Sequence, residues 1–255
     1  MIRSRPPGAA LVAFTAFACL ALLLPAEGRS ATAIEATAAE APSTTAAVSQ
    51  SAVAARAPRV IRRVNRSWVC SRRVNLDLVK VTLRTLRAQA IYFRPGCTGR
   101  IGRIEVDTWT QDGIAINRGN GRVPAHDLVI RGGYIRCHDH VGGHQDGVQV
   151  ADGRRITFYN FRIRCGRVNE RGTNAQFYVS GSSAPNIPRR VLCINCLLGT
   201  GAASPLFIGL SHDSGARNTR VCVGDFGWAI RVQRGLAVRP VRVNLRVLRR
   251  SHPSC

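Results

Sequence analysis

The feature that most restricts what this chain can become is a recurring apolar–x–apolar triplet. Ile114-Ala115-Ile116, Val148-Gln149-Val150, Phe177-Tyr178-Val179 and Leu206-Phe207-Ile208 all carry it. Side chains alternate faces along a strand, so the flanking residues turn inward while the middle one faces out. Phe177 follows Val148 by 29 residues, and Leu206 follows Phe177 by 29. A second marker advances beside the first. Asp127-Leu128-Val129-Ile130 resembles Arg154-Arg155-Ile156-Thr157-Phe158, then Arg189-Arg190-Val191-Leu192-Cys193, then Thr219-Arg220-Val221-Cys222-Val223. Its steps are 28 from Ile130 to Phe158, 35 from Phe158 to Cys193 and 30 from Cys193 to Val223. Two markers moving together at nearly one period, separated by variable stretches, predict a solenoid.

Each period holds three short strands and no helical pattern. In the clearest one, strands are expected at 156–159, 161–165 and 176–179, after one at 148–150. Asn160 separates the first two, and Asn tolerates the left-handed backbone that a one-residue bend needs. Asn195 and then Asp225 are read as its counterparts in later periods, a column able to form a hydrogen-bonded ladder.

The three-strand period, the Asn160–Asn195–Asp225 column and the Asp-Gly-aliphatic strand starts at Asp112 and Asp146 resemble the right-handed parallel β-helix, the pectin-lyase-like architecture, over roughly Leu76 to Ile230. The resemblance implies an all-β, single-stranded solenoid from about residue 59 to 255. It implies that the strands centred on Ala115, Gln149, Tyr178 and Phe207 form the first sheet, with long loops walling a groove that commonly takes polysaccharide. Cys137 to Gln145 would enter that sheet and bring its histidines to the groove.

Several chemistries are open to those residues. His138, His140 and His144 could supply three nitrogens for zinc. Asp139, Asp146 and Asp152 could supply oxygens for calcium. Asp146 could equally cap its strand through an Asp-Gly turn, as Asp112-Gly113 does one coil earlier. His144-Gln145-Asp146-Gly147-Val148-Gln149 is similar to the Asn-Thr-Asp-Gly-Ile-Asp stretch of polygalacturonases. However, Gln149 stands at the second carboxylate, and Thr173-Asn174-Ala175-Gln176 lacks an aspartate pair. Glycoside hydrolysis usually needs two carboxylates, so a lyase is preferred. In a lyase His138 or His144 would be the base, Arg171 would neutralise the uronate, Tyr178 would donate a proton and Asp146 would serve as a carboxylate at the sheet's head. Asp139, His140, Gln149, Gln176 and Phe207 are the expected substrate contacts. His212-Asp213 reads as a polar tip leaving the first sheet. The alternatives are a carbohydrate-binding or adhesion solenoid and a structural exported protein.

Composition bears on the partner. The formal net charge is +23, and Lys80 is the sole lysine. Such a field steers acidic partners, here an acidic polysaccharide or cell-wall polyanion. An arginine-rich codon bias would give the same count. No nucleic-acid motif is visible, and a monomer is expected. The alternating run Val241 to Val247 reads as one half-buried strand with arginines outside, either a cap or a basic strip. Residues 1–33 read as a signal peptide, with Arg3 and Arg5 before the apolar run Ala9 to Leu24 and a small-residue site at Ala31-Thr32-Ala33. Residues 34–58, rich in Ala, Ser and Thr, read as a linker. No stretch after the leader is apolar enough to span a membrane, so a secreted, extracellular protein is expected.

Eight cysteines follow the linker, an even number that suggests disulfides on an exported chain. On the coil register, Cys137 and Cys165 are 28 residues apart, the same step as Ile130 to Phe158, and are expected to bond. Cys193 and Cys196 are read as buried thiols or a local pair. Cys70 with Cys97 and Cys222 with Cys255 are assigned only as the remaining end segments.

Overall fold

The computed structural model describes residues 57–84, 89–109, 112–117, 122–138, 145–166, 173–181, 187–201, 203–224, 228–233 and 235–255. Every regular element among them is a strand, and paired strands in both sheets run parallel, as strands of a solenoid must. The first sheet stacks seven strands: Trp68–Cys70, Ile91–Phe93, Asp112–Ile116, Gln145–Val150, Thr173–Val179, Leu206–Ile208 and Ile230–Val232. About six turns therefore separate its two ends. A second, fifteen-stranded sheet wraps the other two sides of the coil and bends along its length into two faces.

The register is that of the triplets. Ile114 pairs with Val148, Val148 with Phe177 and Phe177 with Leu206. The four strands expected between residues 148 and 179 all form, with Arg154–Tyr159 and Phe161–Cys165 on the second and third faces. Inward side chains fill the coil. Phe158, Phe161 and Phe177 come from three different sides and meet edge to face, with ring centroids 5.5 and 5.6 Å apart. One coil on, Cys193 and Cys196 take the places of Phe158 and Phe161. There a disulfide replaces the aromatic contact across the same bend.

The bend is an asparagine ladder. Asn160, Asn195, Asn218 and Asn244 all lie in the left-handed region, with φ between 47° and 56°. The Asn195 side-chain amide donates to Asn160 Oδ1 at 3.3 Å, and that of Asn244 to Asn218 Oδ1 at 3.0 Å. Asp225, read as the third member, lies outside the described residues, and Asn218 holds that place. The correction follows from register. Arg220–Val223 stacks on Leu197–Leu198 of the third face, whereas Cys193 pairs with Ala216. The sixth coil is thus shorter than the repeat suggested. The run from Val241 to Val247 is likewise not one strand. Asn244 splits it into Val241–Val243 and Arg246–Arg249, which lie on different faces of the last coil.

Four disulfides tie the solenoid: Cys70–Cys97, Cys137–Cys165, Cys193–Cys196 and Cys222–Cys255. Cys137 and Cys165 are direct register partners with Cα atoms 4.2 Å apart. The three expected long-range pairings are present, and of the two readings of Cys193 and Cys196 the local pair holds. Such bonds fit an oxidising, extracellular compartment. The proposed leader, and the linker up to residue 56, lie outside the described residues.

Candidate functional site

The outward column of the first sheet is set by pleat and register. Ala115, Gln149, Tyr178, Phe207 and Arg231 are successive partners, and each is the middle residue of its triplet. Tyr178 and Phe207 stack face to face, 4.6 Å between centroids and 7° between planes. The Arg231 guanidinium lies 5.5 Å from the Phe207 centroid and closes the stack as a cation–π contact. The half-buried Phe207 ring is thus held between Tyr178 and Arg231. Along strands about 4.8 Å apart the column carries the half-buried Gln149 and Tyr178, then Phe207, then the exposed guanidinium of Arg231.

A second column runs along the edge where the third face ends. Arg84, Trp109 and His138 each follow register partners Leu83, Thr108 and Cys137. The His138 imidazole stacks on Trp109 at 3.9 Å and 7°, and the Arg84 guanidinium sits 5.5 Å from the Trp109 ring. His138 Nε2 is 2.6 Å from Asp107 Oδ1. A carboxylate only accepts, so Nε2 carries the proton. His138 is thus oriented by both a π-face and a carboxylate, at the start of the segment that carries the other two histidines.

The remaining sequence-predicted residues divide. Asp139, His140, His144 and Arg171 lie outside the described residues. Asp146 is buried, and its Oδ1 accepts the Ala175 N–H at 2.8 Å, just as Asp112 Oδ1 accepts the Asp146 N–H at 3.0 Å. These aspartates link strand starts of successive coils, which is the capping role that the Asp-Gly pattern allowed. Gln176, expected to touch substrate, is instead fully buried. Its Oε1 accepts the Cys165 N–H at 2.8 Å, and its Nε2 donates to the Cys165 carbonyl at 2.8 Å and the Thr200 carbonyl at 3.3 Å. Ala175 pairs with Asp146 and Phe177 with Val148, so Gln176 stands opposite Gly147, a place from which a side chain points toward Ile163 and Cys165 inside the coil. Asp152 is also buried, its Oδ1 accepting the Gly153 N–H at 2.7 Å. Among the described residues no three His, Cys, Asp or Glu side chains gather as metal ligands. His212 is in the second sheet's plane, pairing with Arg189, rather than on a tip beside the groove.

Sequence reasoning passed over Trp109, Asp107 and Arg231. Arg231 was findable, because Ile230-Arg231-Val232 repeats the triplet. Trp109 was findable only once the register between the strands ending at Thr108 and Cys137 was known.

The fold and this face define a disulfide-tied parallel β-solenoid with a polar-tipped aromatic ladder on its first sheet. No family model, curated protein or solved structure matches the chain. The architecture accordingly rests on strand pairing, and the narrower pectin-lyase-like resemblance rests on sequence motifs alone.

Proposed function

We propose that this is a secreted polysaccharide-binding solenoid that holds an acidic glycan along the outer face of its first sheet. The observation carrying the proposal is the ladder Gln149–Tyr178–Phe207–Arg231. Its apolar bodies are locked, so its polar tips meet a ligand without losing much side-chain freedom. An amide and a phenol suit sugar hydroxyls, and the terminal guanidinium suits a uronate carboxylate through a paired hydrogen bond. The β-solenoid architecture is compatible with such a partner, and the net charge of +23 favours acidic chains.

The test is binding of polygalacturonate against neutral dextran by calorimetry. Arg231→Gln and Tyr178→Phe are expected to weaken binding to the acidic glycan, whereas Arg246→Gln, on another face, leaves it unchanged. Failure of every acidic glycan to bind, or equal binding by all variants, removes the proposal.

A lyase is the second reading, favoured by the oriented His138–Asp107 pair at the edge where the third face ends. In β-elimination a base takes the C5 proton, the C4=C5 double bond forms as the C4–O bond breaks, and the leaving oxygen takes a proton, here from Tyr178. His138 or His144 would supply that base, with Arg171 neutralising the uronate. Ultraviolet-absorbing unsaturated products, lost in His138→Ala, would support this reading. Binding without such products would leave the non-catalytic one.

A further inference from the structure

The second face carries a charge pattern that the carbohydrate reading does not use. Four successive coils begin their second-face strands with paired charged or titratable residues: His126-Asp127, Arg154-Arg155, Arg189-Arg190 and His212-Asp213. His126, Arg154, Arg189 and His212 are in direct register. Arg154 and Arg189 therefore project side by side from neighbouring coils, about one strand spacing apart. Like charges placed directly opposite in a sheet repel.

The second residue of each pair raises the same question. Asp127, Arg155, Arg190 and Asp213 all have left-handed backbones, with φ of 49°, 53°, 54° and 49°. Left-handed geometry favours Gly, Asn or Asp, whose side chains are absent or bond locally. The other left-handed column of this molecule obeys that preference with four asparagines. Here arginine occupies two such positions on consecutive coils. Backbone strain and like-charge crowding thus coincide at one place.

That place is concave. A cavity of about 270 Å³ is lined by Arg154, Arg155, Arg189, Arg190 and Asp213. Arg155 is already oriented by Asp127, with Nε 2.5 Å from Oδ1 and Nη2 2.7 Å from Oδ2. Asp127 and Asp213 offset two of the four guanidiniums, so two positive charges remain. All four arginines are exposed, and none of Arg154, Arg189 and Arg190 is paired with a carboxylate among the described residues.

We propose that this cluster is a binding site for a phosphate monoester group. A phosphomonoester carries about −1.5 to −2 charges at pH 7, matching the two uncompensated guanidiniums, and offers three acceptor oxygens. Arg154 and Arg189 each present a planar fork from adjoining coils, and a tetrahedral oxyanion can accept from both at once. A single carboxylate accepts one fork well and leaves one charge unmatched. The site lies on a different sheet from the aromatic ladder and does not depend on the glycan reading.

The experiment is calorimetric titration of the full-length chain at low ionic strength with inorganic phosphate, glucose 6-phosphate and glucuronate. Both phosphate probes are expected to bind at one site, and glucuronate roughly tenfold or more weakly. Tighter binding of the sugar phosphate identifies an esterified ligand, and equal binding identifies free phosphate; either supports the site. Arg154→Gln with Arg189→Gln should abolish phosphate binding, and Arg189→Lys should weaken it by losing the fork while keeping the charge. Arg246→Gln should have no effect, and thermal unfolding of each variant verifies folding. The proposal is overturned if phosphate does not bind, if glucuronate binds equally, or if the folded double variant retains phosphate.

Discussion

Gln176→Ala tests whether the polar residues at the head of the first sheet are structural or ligand-facing. Gln176 satisfies the Cys165 N–H and carbonyl, both at 2.8 Å, and makes a longer third bond to the Thr200 carbonyl. Truncation leaves at least two buried backbone groups without their side-chain partner. Each such group costs about 1–3 kcal/mol, so the expected loss is about 2–6 kcal/mol. A central loss of about 4 kcal/mol lowers Tm by roughly 8–16 °C in a domain of this size. Gln176→Met keeps the length and volume but not the hydrogen bonds, so its loss should nearly equal that of the alanine variant. Thermal unfolding followed by circular dichroism, with urea titration where it is reversible, gives both numbers. Glycan affinity measured well below Tm should be unchanged. The reasoning is refuted if Gln176→Ala melts within about 2 °C of the parent, a shift the bonds counted above do not permit. It is also refuted if Gln176→Met melts like the parent, because volume alone would then explain the residue.

Replacing Cys137 and Cys165 together by Ala opens a loop with a sequence separation of 28, and the chain-entropy estimate is a loss of about 3–4 kcal/mol in urea titration. At the bend, Asn195→Ala should cost roughly 1–2 kcal/mol through its left-handed backbone. Asn195→Gly should cost less, and equal losses would place the effect in the side-chain ladder alone. Asp127 has its pKa lowered, first by the Arg155 fork and then by His126. Its contribution is thus present above the ordinary Asp value of about 3.9 and fades as pH falls below it; at 47% side-chain exposure it should be small. Asp127→Asn should reduce the acid loss of stability as pH falls below about 4, and an unchanged urea midpoint difference across that range would argue against the pairing. Thr108 and Cys137 are register partners; Asp112 comes 4 residues after the first, whereas Asp146 comes 9 after the second. Deleting residues 139–143 restores the shorter connection. Such a variant should keep its unfolding free energy, from urea titration, to within about 1 kcal/mol while losing glycan turnover or affinity if the histidine segment serves the groove.

The middle coils were legible because their strands announce themselves twice. From Ile114 to Ile208 the triplets repeat, and Asn160 and Asn195 mark the bend between the other two faces. That register also placed Cys137 over Cys165. The first two coils escaped although Trp68-Val69-Cys70 and Ile91-Tyr92-Phe93 carry the triplet, with steps of 23 from Trp68 to Ile91 and 23 from Ile91 to Ile114. There Arg73–Leu83 and Thr98–Thr108 run unbroken around two faces, so no asparagine marks the corner. The sixth coil misled for the opposite reason. Its second-face strand is Gly215–Arg217, with too little apolar pattern to compete with the neighbouring Arg220–Val223. In the site, Tyr178, Phe207 and Gln149 were placed by alternation. Gln176 was not, because the same place on the two preceding coils is held by Gly113 and Gly147, which have no side chain to show which way the position faces.

Coil lengths explain where a solenoid of this kind can hold a function. The step from the second face to the third never varies: Ile101 to Val106, Ile130 to Ile135, Phe158 to Ile163, Cys193 to Leu198 and Ala216 to Val221 are all 5 residues. From Asn160 onward an asparagine column holds that corner, and in Thr98–Thr108 an unbroken strand does, so neither leaves room for insertion there. Every added residue lies in a connection to the first sheet. Val106 to Ile114 spans 8 residues, but Ile135 to Val148 spans 13 and Ile163 to Phe177 spans 14. On the other side Ile91 to Ile101 spans 10, whereas Ile114 to Ile130 and Phe177 to Cys193 each span 16. The first coils close with 23 residues each, so the longer connections are not required by packing. They adjoin the strands bearing Ala115, Gln149 and Tyr178, and the rigid ladder begins where they cluster. Variable length beside a fixed scaffold is the physical signature of recognition loops, which is why the first sheet, rather than the invariant corner, is the face to probe for ligand.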